Sequence, residues 1–175
     1  MSPVRHPPRR MAAWLPALPL LACVLCVAAW ADPREQAERA ETAYRSGDVV
    51  VAMGLFRQAA EAGHSLAQAR LADLLDAAEQ DAEAVDWYRK SAAQGDPEGE
   101  YGLGRMLANG EGVRRDVEQA LRWYRQAAAR QHVRSLEALA RATRSGDLGL
   151  ARDPAEADRL EQRAQALRGA AKVRP

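Results

Sequence analysis

One nine-residue segment recurs along the chain, and one copy reads Tyr124-Arg125-Gln126-Ala127-Ala128-Ala129-Arg130-Gln131-His132. It aligns with Tyr88-Arg89-Lys90-Ser91-Ala92-Ala93-Gln94-Gly95-Asp96 and with Phe56-Arg57-Gln58-Ala59-Ala60-Glu61-Ala62-Gly63-His64. The steps between copies are 32 and 36 residues, and another 36 residues lead to a degenerate fourth copy, Leu160-Glu161-Gln162-Arg163-Ala164. Such periods are typical of repeat proteins, in which each unit packs only on its neighbours.

Each unit predicts two helices joined by a turn. In the third unit we expect a first helix over residues 97–108, which ends where Gly110 and Gly112 break the pattern. The second helix then presents one apolar stripe, made of Ala120, Trp123, Tyr124, Ala127 and Ala128. No strand-like alternation of useful length follows residue 32, so the predicted fold is all-α.

Aspartates mark the start of the second helices. Asp116 can accept hydrogen bonds from free amides at a helix N-terminus, and Asp48 and Asp153 hold the same position in the first and fourth units. The connecting loop of the second unit is four residues shorter, and there we predict Asp81 as the cap.

The first helices share a different pattern. Leu71, Leu103 and Leu139 recur fifteen residues after each aromatic anchor, and each is followed by Ala or Gly. Small residues there allow helices to approach closely. The recurring pairs Trp87-Tyr88 and Trp123-Tyr124 are interpreted as core residues, because they return at the repeat interval.

Together these residues resemble the Sel1-like repeat, a relative of the tetratricopeptide repeat. The resemblance is carried by Leu103-Gly104, Gly110-Glu111-Gly112-Val113, Asp116, Ala120, Trp123-Tyr124 and Ala127-Ala128. It implies a right-handed α-solenoid of about four helix-turn-helix units, over residues 35–64, 65–96, 97–132 and 133–170, within a domain of residues 32–175. It also implies binding of other proteins and no catalytic chemistry.

The first 31 residues have the pattern of a secretory signal. Arg5, Arg9 and Arg10 precede 21 uncharged residues, and Ala29-Trp30-Ala31 offers a cleavage site. We therefore expect a secreted or periplasmic protein cleaved near Ala31. The alternatives are an uncleaved membrane anchor, since 21 residues can span a bilayer, and a lipoprotein, since Leu20-Leu21-Ala22-Cys23 resembles a lipobox.

Composition limits the possible chemistry. Residues 32–175 contain 22 basic and 24 acidic residues, so bulk charge gives no reason to expect nucleic acid as a partner. Both cysteines, Cys23 and Cys26, lie in the predicted signal, which excludes a disulfide framework, a cysteine-ligated zinc site and a cysteine nucleophile from the mature chain. We expect no cofactor and no metal.

No catalytic constellation is evident either. His64, Asp96 and His132 occupy equivalent positions, with Arg168 in the fourth unit, which indicates a turn or cap rather than a ligand set. The carboxylate pairs Asp73 with Asp76 and Glu98 with Glu100 are interpreted as parts of a solvated helix face. We expect a protein that is not an enzyme.

The concave face of the predicted solenoid is the candidate binding surface. If the first helices line it, the positions around each recurring Leu face the partner: Ala69, Asp73, Asp76, Tyr101, Arg105, Ala108, Glu137, Arg141 and Arg144, with Arg134 beside them. This surface is expected to change from acidic to basic along the array, and Tyr101 is its single aromatic anchor. A generic charged surface is the alternative interpretation.

Two functions follow. The first is a non-catalytic scaffold of the bacterial cell envelope, a monomer that binds an envelope protein or peptide, with membrane contact only if the N-terminal segment is uncleaved or lipidated. The second is an accessory ligand-binding or enzymatic protein acting on cell-wall or exopolysaccharide material, which requires a closed pocket with buried carboxylates.

The last helix carries an apolar stripe that is predicted to cap the array, with a dimer seam or an anionic membrane surface as alternatives.

Overall fold

The computed structural model describes residues 32–173, which form eight α-helices and, within that range, no strand. The helices are paired in chain order into four helical hairpins, and the hairpins stack into a right-handed solenoid. The all-α prediction is confirmed. The predicted signal segment and its alternatives fall on residues 1–31, outside the described residues. The helices are α1 Pro33–Arg45, α2 Val49–Glu61, α3 Ser65–Ala77, α4 Asp81–Ala93, α5 Pro97–Asn109, α6 Val117–Ala129, α7 Val133–Ser145 and α8 Pro154–Val173.

Aspartate caps begin three of the four second helices, as predicted. The carboxylate of Asp48 accepts from the amide of Val51 at 3.2 Å, and that of Asp116 accepts from Gln119 at 2.9 Å. Asp153 accepts from the amide of Glu156 at 3.0 Å. These bonds satisfy amides that have no partner within the helix.

The predicted cap Asp81 is wrong. Gln80 precedes α4 and makes no side-chain cap, whereas Asp81 is already the first helical residue. The amide of Gln80 donates to the carbonyl of Leu75 at 2.9 Å, which closes the short turn after α3 and lets the next helix start one residue earlier.

The core lies between the two helices of each hairpin and between neighbouring hairpins. The recurring leucines are 0–7% exposed, and the aromatic anchors Phe56, Tyr88 and Tyr124 are 1–5% exposed. Trp87 is buried too, but Trp123 departs from the prediction: it packs against the core while remaining half-buried at the edge of an open cavity.

Close helix approach explains the small residues of α5. A Cβ atom at Gly102 would overlap the ring of Tyr88, and one at Gly104 would lie 2.9 Å from the ring of Tyr124. Both rings belong to second helices, so the absence of a side chain on α5 sets the spacing between helices. The packing role predicted for Gly104, the residue after Leu103, is confirmed.

The last helix contacts the core as expected of a cap. Ala157 and Ala164 are buried, and Leu160 and Leu167 are half-buried against the core, whereas Ala171 is exposed. Among the helices of residues 32–173, none combines the length and apolar character needed to cross a bilayer.

Candidate protein-binding surface on the first helices

The predicted concave residues lie on α3, α5 and α7, the first helices of the second, third and fourth hairpins. Two of them are unavailable to a partner, because Ala69 is fully buried and Ala108 is 9% exposed. Their prediction as binding residues is wrong: these methyl groups point into helix contacts and are too short to reach past them. The other eight are at least partly accessible: Asp73, Asp76, Tyr101, Arg105, Arg134, Glu137, Arg141 and Arg144.

Tyr101 is the centre of an aromatic cluster. Its ring centroid lies 5.8 Å from that of Tyr124 and 5.2 Å from that of His132, both in tilted geometry. The guanidinium carbon of Arg134 lies 4.8 Å from the Tyr101 centroid, within the range of a cation–π contact. Tyr101 is half-buried rather than fully exposed, so its ring is held in place before any partner arrives.

Charged and polar groups surround this cluster. Arg134 pairs with Glu98 on the preceding first helix, and His132 Nε2 lies 3.4 Å from Glu98 Oε2. Burial alone would raise the pKa of Glu98, but the hydrogen bond from His132 and the charges of Arg134 and Arg70 outweigh it and lower that pKa to about 2. Glu98 is therefore ionised and fixes both neighbours.

Asp73 and Tyr88 form the next contact along the surface. The Tyr88 hydroxyl donates to Asp73 Oδ1 at 2.7 Å, and burial, followed by the Asp73 charge, raises the pKa of Tyr88. Tyr124 is the equivalent tyrosine of the third hairpin, where burial and then Tyr101 raise its pKa to about 12. Arg105 occupies the position in the third hairpin that Asp73 occupies in the second. Tyr124 therefore lies near a cation, whereas Tyr88 lies near a carboxylate.

Asp76 and Arg105 connect two hairpins. Arg105 Nη2 lies 2.6 Å from Asp76 Oδ2 on α3, and its Nη1 lies 3.1 Å from Glu111 Oε2 in the following loop. Although burial acts to lower the pKa of Arg105, the hydrogen bond with Asp76 and nearby negative charge raise it. The guanidinium is permanently charged and firmly oriented.

The C-terminal part of the surface is mostly paired within its own hairpin. Glu137 lies 2.6 Å from Arg168, and Arg144 lies 2.8 Å from Asp158 and 3.0 Å from Glu161. Arg141 is exposed, has no ion-pair partner within residues 32–173, and borders a shallow cavity of about 230 Å³. These pairs neutralise much of the acidic-to-basic change expected along the array.

The interpretation of Glu98 and Glu100 as parts of a solvated face is wrong. Glu98 is half-buried, and Glu100 is only 2% exposed, with Oε1 3.2 Å from Arg130 Nε. Burial raises the pKa of Glu100, and the positive charge of Arg130 opposes this. Its Oε2 atom has no hydrogen-bond partner in the described part of the chain. Glu100 lies in the helix packing rather than on the binding surface.

The histidines lie where the repeat pattern predicts. His64 and His132 directly precede α3 and α7, and His64 Nδ1 accepts from the amide of Ala67 at 3.1 Å. His132 Nδ1 is 2.9 Å from Ser135 Oγ. Arg168, the fourth residue of this set, lies inside α8 instead. Each histidine thus belongs to the start of its own helix.

The sequence analysis did not assign Glu41, Arg70 or Glu98 to the binding surface. Arg70 Nε lies 2.9 Å from Glu41 Oε1, so α3 is tied to α1 as α5 is tied to α3. A signal was present, because the linked opposite charges on first helices are 29 or 36 residues apart, about one repeat. Opposite charges about one repeat apart therefore indicate contacts between stacked hairpins.

Most polar groups of this surface are already paired with neighbouring side chains. The carboxylates of Asp73, Asp76 and Glu98 are each engaged by a tyrosine, an arginine or a histidine. Within residues 32–173, no group of three or more His, Cys, Asp or Glu side chains is placed to hold a metal ion. What the surface offers is an oriented aromatic ring, fixed guanidinium groups and the exposed Arg141, which forms no ion pair with the described residues.

Comparison with known proteins places these hairpins in a family. The family model for the Sel1 repeat matches residues 44–64, 65–96 and 97–132, about half of the 175-residue chain. A comparison with curated proteins gave no significant match.

Solved structures have the same architecture. A Sel1 repeat protein from Oxalobacter formigenes superposes with a TM-score of 0.69 at 30% identity, over 78% of this chain and 59% of that one. A protective antigen of uropathogenic Escherichia coli that displays an SLR fold, c5321, gives 0.67 at 32% identity, over 78% and 31%. The described chain thus spans less than two thirds of either protein, and the predicted solenoid is confirmed. The chain belongs to the Sel1 repeat family, whose members are typically non-catalytic scaffolds for protein partners.

Proposed function

We propose that this protein is a non-catalytic adaptor of the bacterial cell envelope that binds a partner protein or peptide on its first helices. The observation that carries the proposal is the cluster around Tyr101, in which Tyr124, His132 and Arg134 hold one aromatic ring at an accessible position. Aromatic and arginine side chains dominate the energetics of protein interfaces when they are pre-positioned.

The surrounding ion pairs support this function because they remove the entropic cost of ordering long side chains on binding. Glu98 and Asp76 fix Arg134 and Arg105 across neighbouring hairpins. A partner therefore meets a surface that is already arranged, and Arg141 remains free to form a new ion pair. The envelope location rests on the signal-like pattern of residues 1–31.

Affinity capture from a cross-linked envelope fraction tests the proposal. The full chain is compared with Arg134→Glu/Arg141→Glu, which reverses two exposed charges on α7, including the one that contacts Tyr101. Arg122→Glu/Arg125→Glu is the matched control, since it reverses two exposed charges on α6. We expect a protein that is recovered by the parent and the control and lost by the first variant.

Thermal melting of all three proteins shows whether the reversed variant is folded. Recovery of the same proteins by the parent and a folded Arg134→Glu/Arg141→Glu variant contradicts the proposed surface. Tyr101→Ala supplies a second variant that alters no charge, and we expect it to weaken binding of the captured partner at least tenfold.

A further inference from the structure

Two equivalent tryptophans of the second and third hairpins have different surroundings. The indole Nε1 of Trp87 donates to Glu83 Oε1 at 3.2 Å, and Lys90 Nζ lies 3.6 Å from the Trp87 ring centroid. Both the polar edge and one face of this indole are thus satisfied within α4, and the residue is 8% exposed. Trp87 has no capacity left for a ligand.

Trp123 lacks both contacts. Gln119 and Gln126 stand one repeat after Glu83 and Lys90, and the side-chain amide of Gln119 instead donates to Asp116 Oδ2 at 2.7 Å. Within residues 32–173 the Trp123 indole N–H has no hydrogen-bond partner, and the ring is half-buried. An indole in this position usually donates to some acceptor, so this donor is available to a ligand.

Trp123 lines an open cavity of about 830 Å³ between α4, α5, α6 and the loop that joins α5 to α6. Its apolar lining is formed by Leu103, Leu107, Val113, Val117 and Trp123. The loop packs closely against α4 at Gly112, where a Cβ atom would lie 2.4 Å from the backbone of Asp81, so no side chain would fit. The volume lies in the range of ligand-binding clefts.

The rim of this cavity favours an anionic ligand. It carries the guanidinium groups of Arg114 and Arg115, and that of Arg89, which is already paired with a carboxylate of its own helix at 3.0 Å. Arg114 has no ion-pair partner in the described part of the chain, and Arg115 uses Nε to donate to the carbonyl of Ala108 at 2.8 Å, which leaves its terminal nitrogens free. Of the two carboxylates at the rim, Asp116 is already occupied in capping α6, and Glu118 is exposed, so Arg114 and Arg115 together outnumber the one carboxylate that is not used in a cap.

We propose that this cavity is a second binding site, separate from the first-helix surface, for an acidic peptide segment of a partner protein. An apolar side chain of the segment fills the cavity against Trp123. Flanking carboxylates pair with Arg114 and Arg115, and a backbone carbonyl accepts from the Trp123 indole. The α3–α4 loop beside Trp87 is four residues shorter than the α5–α6 loop beside Trp123.

The test uses the indole N–H signals of the full-length, ¹⁵N-labelled chain in NMR titrations. The probe is an end-capped peptide with one central phenylalanine flanked by glutamates. We expect a saturable shift of the Trp123 signal, identified by its loss in Trp123→Phe, while the Trp87 signal stays in place. Matched peptides with glycine for phenylalanine, or lysines for glutamates, are expected to bind at least tenfold more weakly.

Variants of the chain assign the site. Arg114→Glu/Arg115→Glu alters exposed loop residues and is expected to lower the affinity for the probe peptide at least tenfold. Arg134→Glu/Arg141→Glu, on the first-helix surface, is expected to leave that affinity unchanged. A Trp123 signal that does not move at millimolar probe overturns the proposal. So does equal affinity in the folded Arg114→Glu/Arg115→Glu variant, or loss of binding in the first-helix variant.

Discussion

Arg105 of α5 and Asp76 of α3 approach to 2.6 Å and join the first helices of two neighbouring hairpins. Their side chains are 29% and 23% exposed, so solvent screens the pair less than it screens an ion pair on the open surface. The same contact belongs to the candidate binding surface. Stability of the stack and presentation of the surface therefore depend on one interaction.

Replacing Arg105 by Ala is expected to lower the free energy of unfolding by roughly 1–2 kcal/mol, because Asp76 then remains half-buried without its cation. Urea denaturation measures the change. Arg89→Ala is the control, since its pair with Asp86 is more than half exposed and we expect a loss below about 0.5 kcal/mol. Equal losses in the two variants would show that the contact between hairpins adds nothing.

Gly102→Ala is expected to destabilise the chain by about 1–3 kcal/mol, because the new methyl group overlaps the Tyr88 ring and forces α4 and α5 apart. Gly54→Ala is the matched helical control. Nothing lies within 4 Å of a Cβ at Gly54, so the substitution should stabilise by about 0.5–1 kcal/mol through helix propensity. Thermal unfolding distinguishes the two effects, and stabilisation by both substitutions would argue against close packing at Gly102.

Tyr88→Phe is expected to cost about 1 kcal/mol, since it removes the hydroxyl that donates to Asp73 and leaves the buried ring in place. Tyr124→Phe removes the equivalent hydroxyl, which has no hydrogen-bond partner in the described residues, and should cost less than about 0.5 kcal/mol. Chemical denaturation of both variants gives the comparison. A larger cost for Tyr124→Phe would contradict the assigned hydrogen bond.

The lowered pKa of Glu98 predicts that the free energy of unfolding decreases at low pH. Its pKa is about 2 in the folded chain against an ordinary value of 4.5, so its contribution is complete above pH 4.5 and is lost as the pH falls towards 2. We expect Glu98→Gln to be less stable than the parent at neutral pH and to approach it at low pH. Unfolding curves recorded across this range test the sign, and a constant difference between the two proteins would refute it.

The raised pKa of Glu100 predicts the opposite pH dependence of stability. Burial raises its pKa above 4.5, so its contribution to stability is complete below that pH and is lost as the pH rises through the raised value. The unfolding free energy of Glu100→Gln, measured relative to the parent, should therefore increase as the pH rises. A relative stability that falls over the same interval would mean that Arg130 holds Glu100 ionised.

Sequence patterns predict the stacking of the hairpins less well than they predict the helices, because equivalent positions of the repeat differ in burial. Ala69 and Asp73 lie on the same helix at positions that the pattern treats alike, yet Ala69 is fully buried and Asp73 is half-buried. Trp87 and Trp123 are equivalent in the repeat, but only Trp87 is enclosed. Residues around each tryptophan and the length of one loop decide the difference.

Local sequence patterns were enough to predict the helices, the repeat and most of the caps. Periodic apolar residues, an aspartate before a helix and glycine after one act over a few residues, so Asp116 and Gly110 can be interpreted locally. Tertiary structure decided which charges meet, that Glu100 is buried, and that Trp123 borders a cavity. The charge pairs, the burial of Glu100 and the cavity at Trp123 all depend on contacts between residues about one repeat apart. Local sequence patterns do not predict these contacts, because they do not specify the spacing and angle between stacked helices.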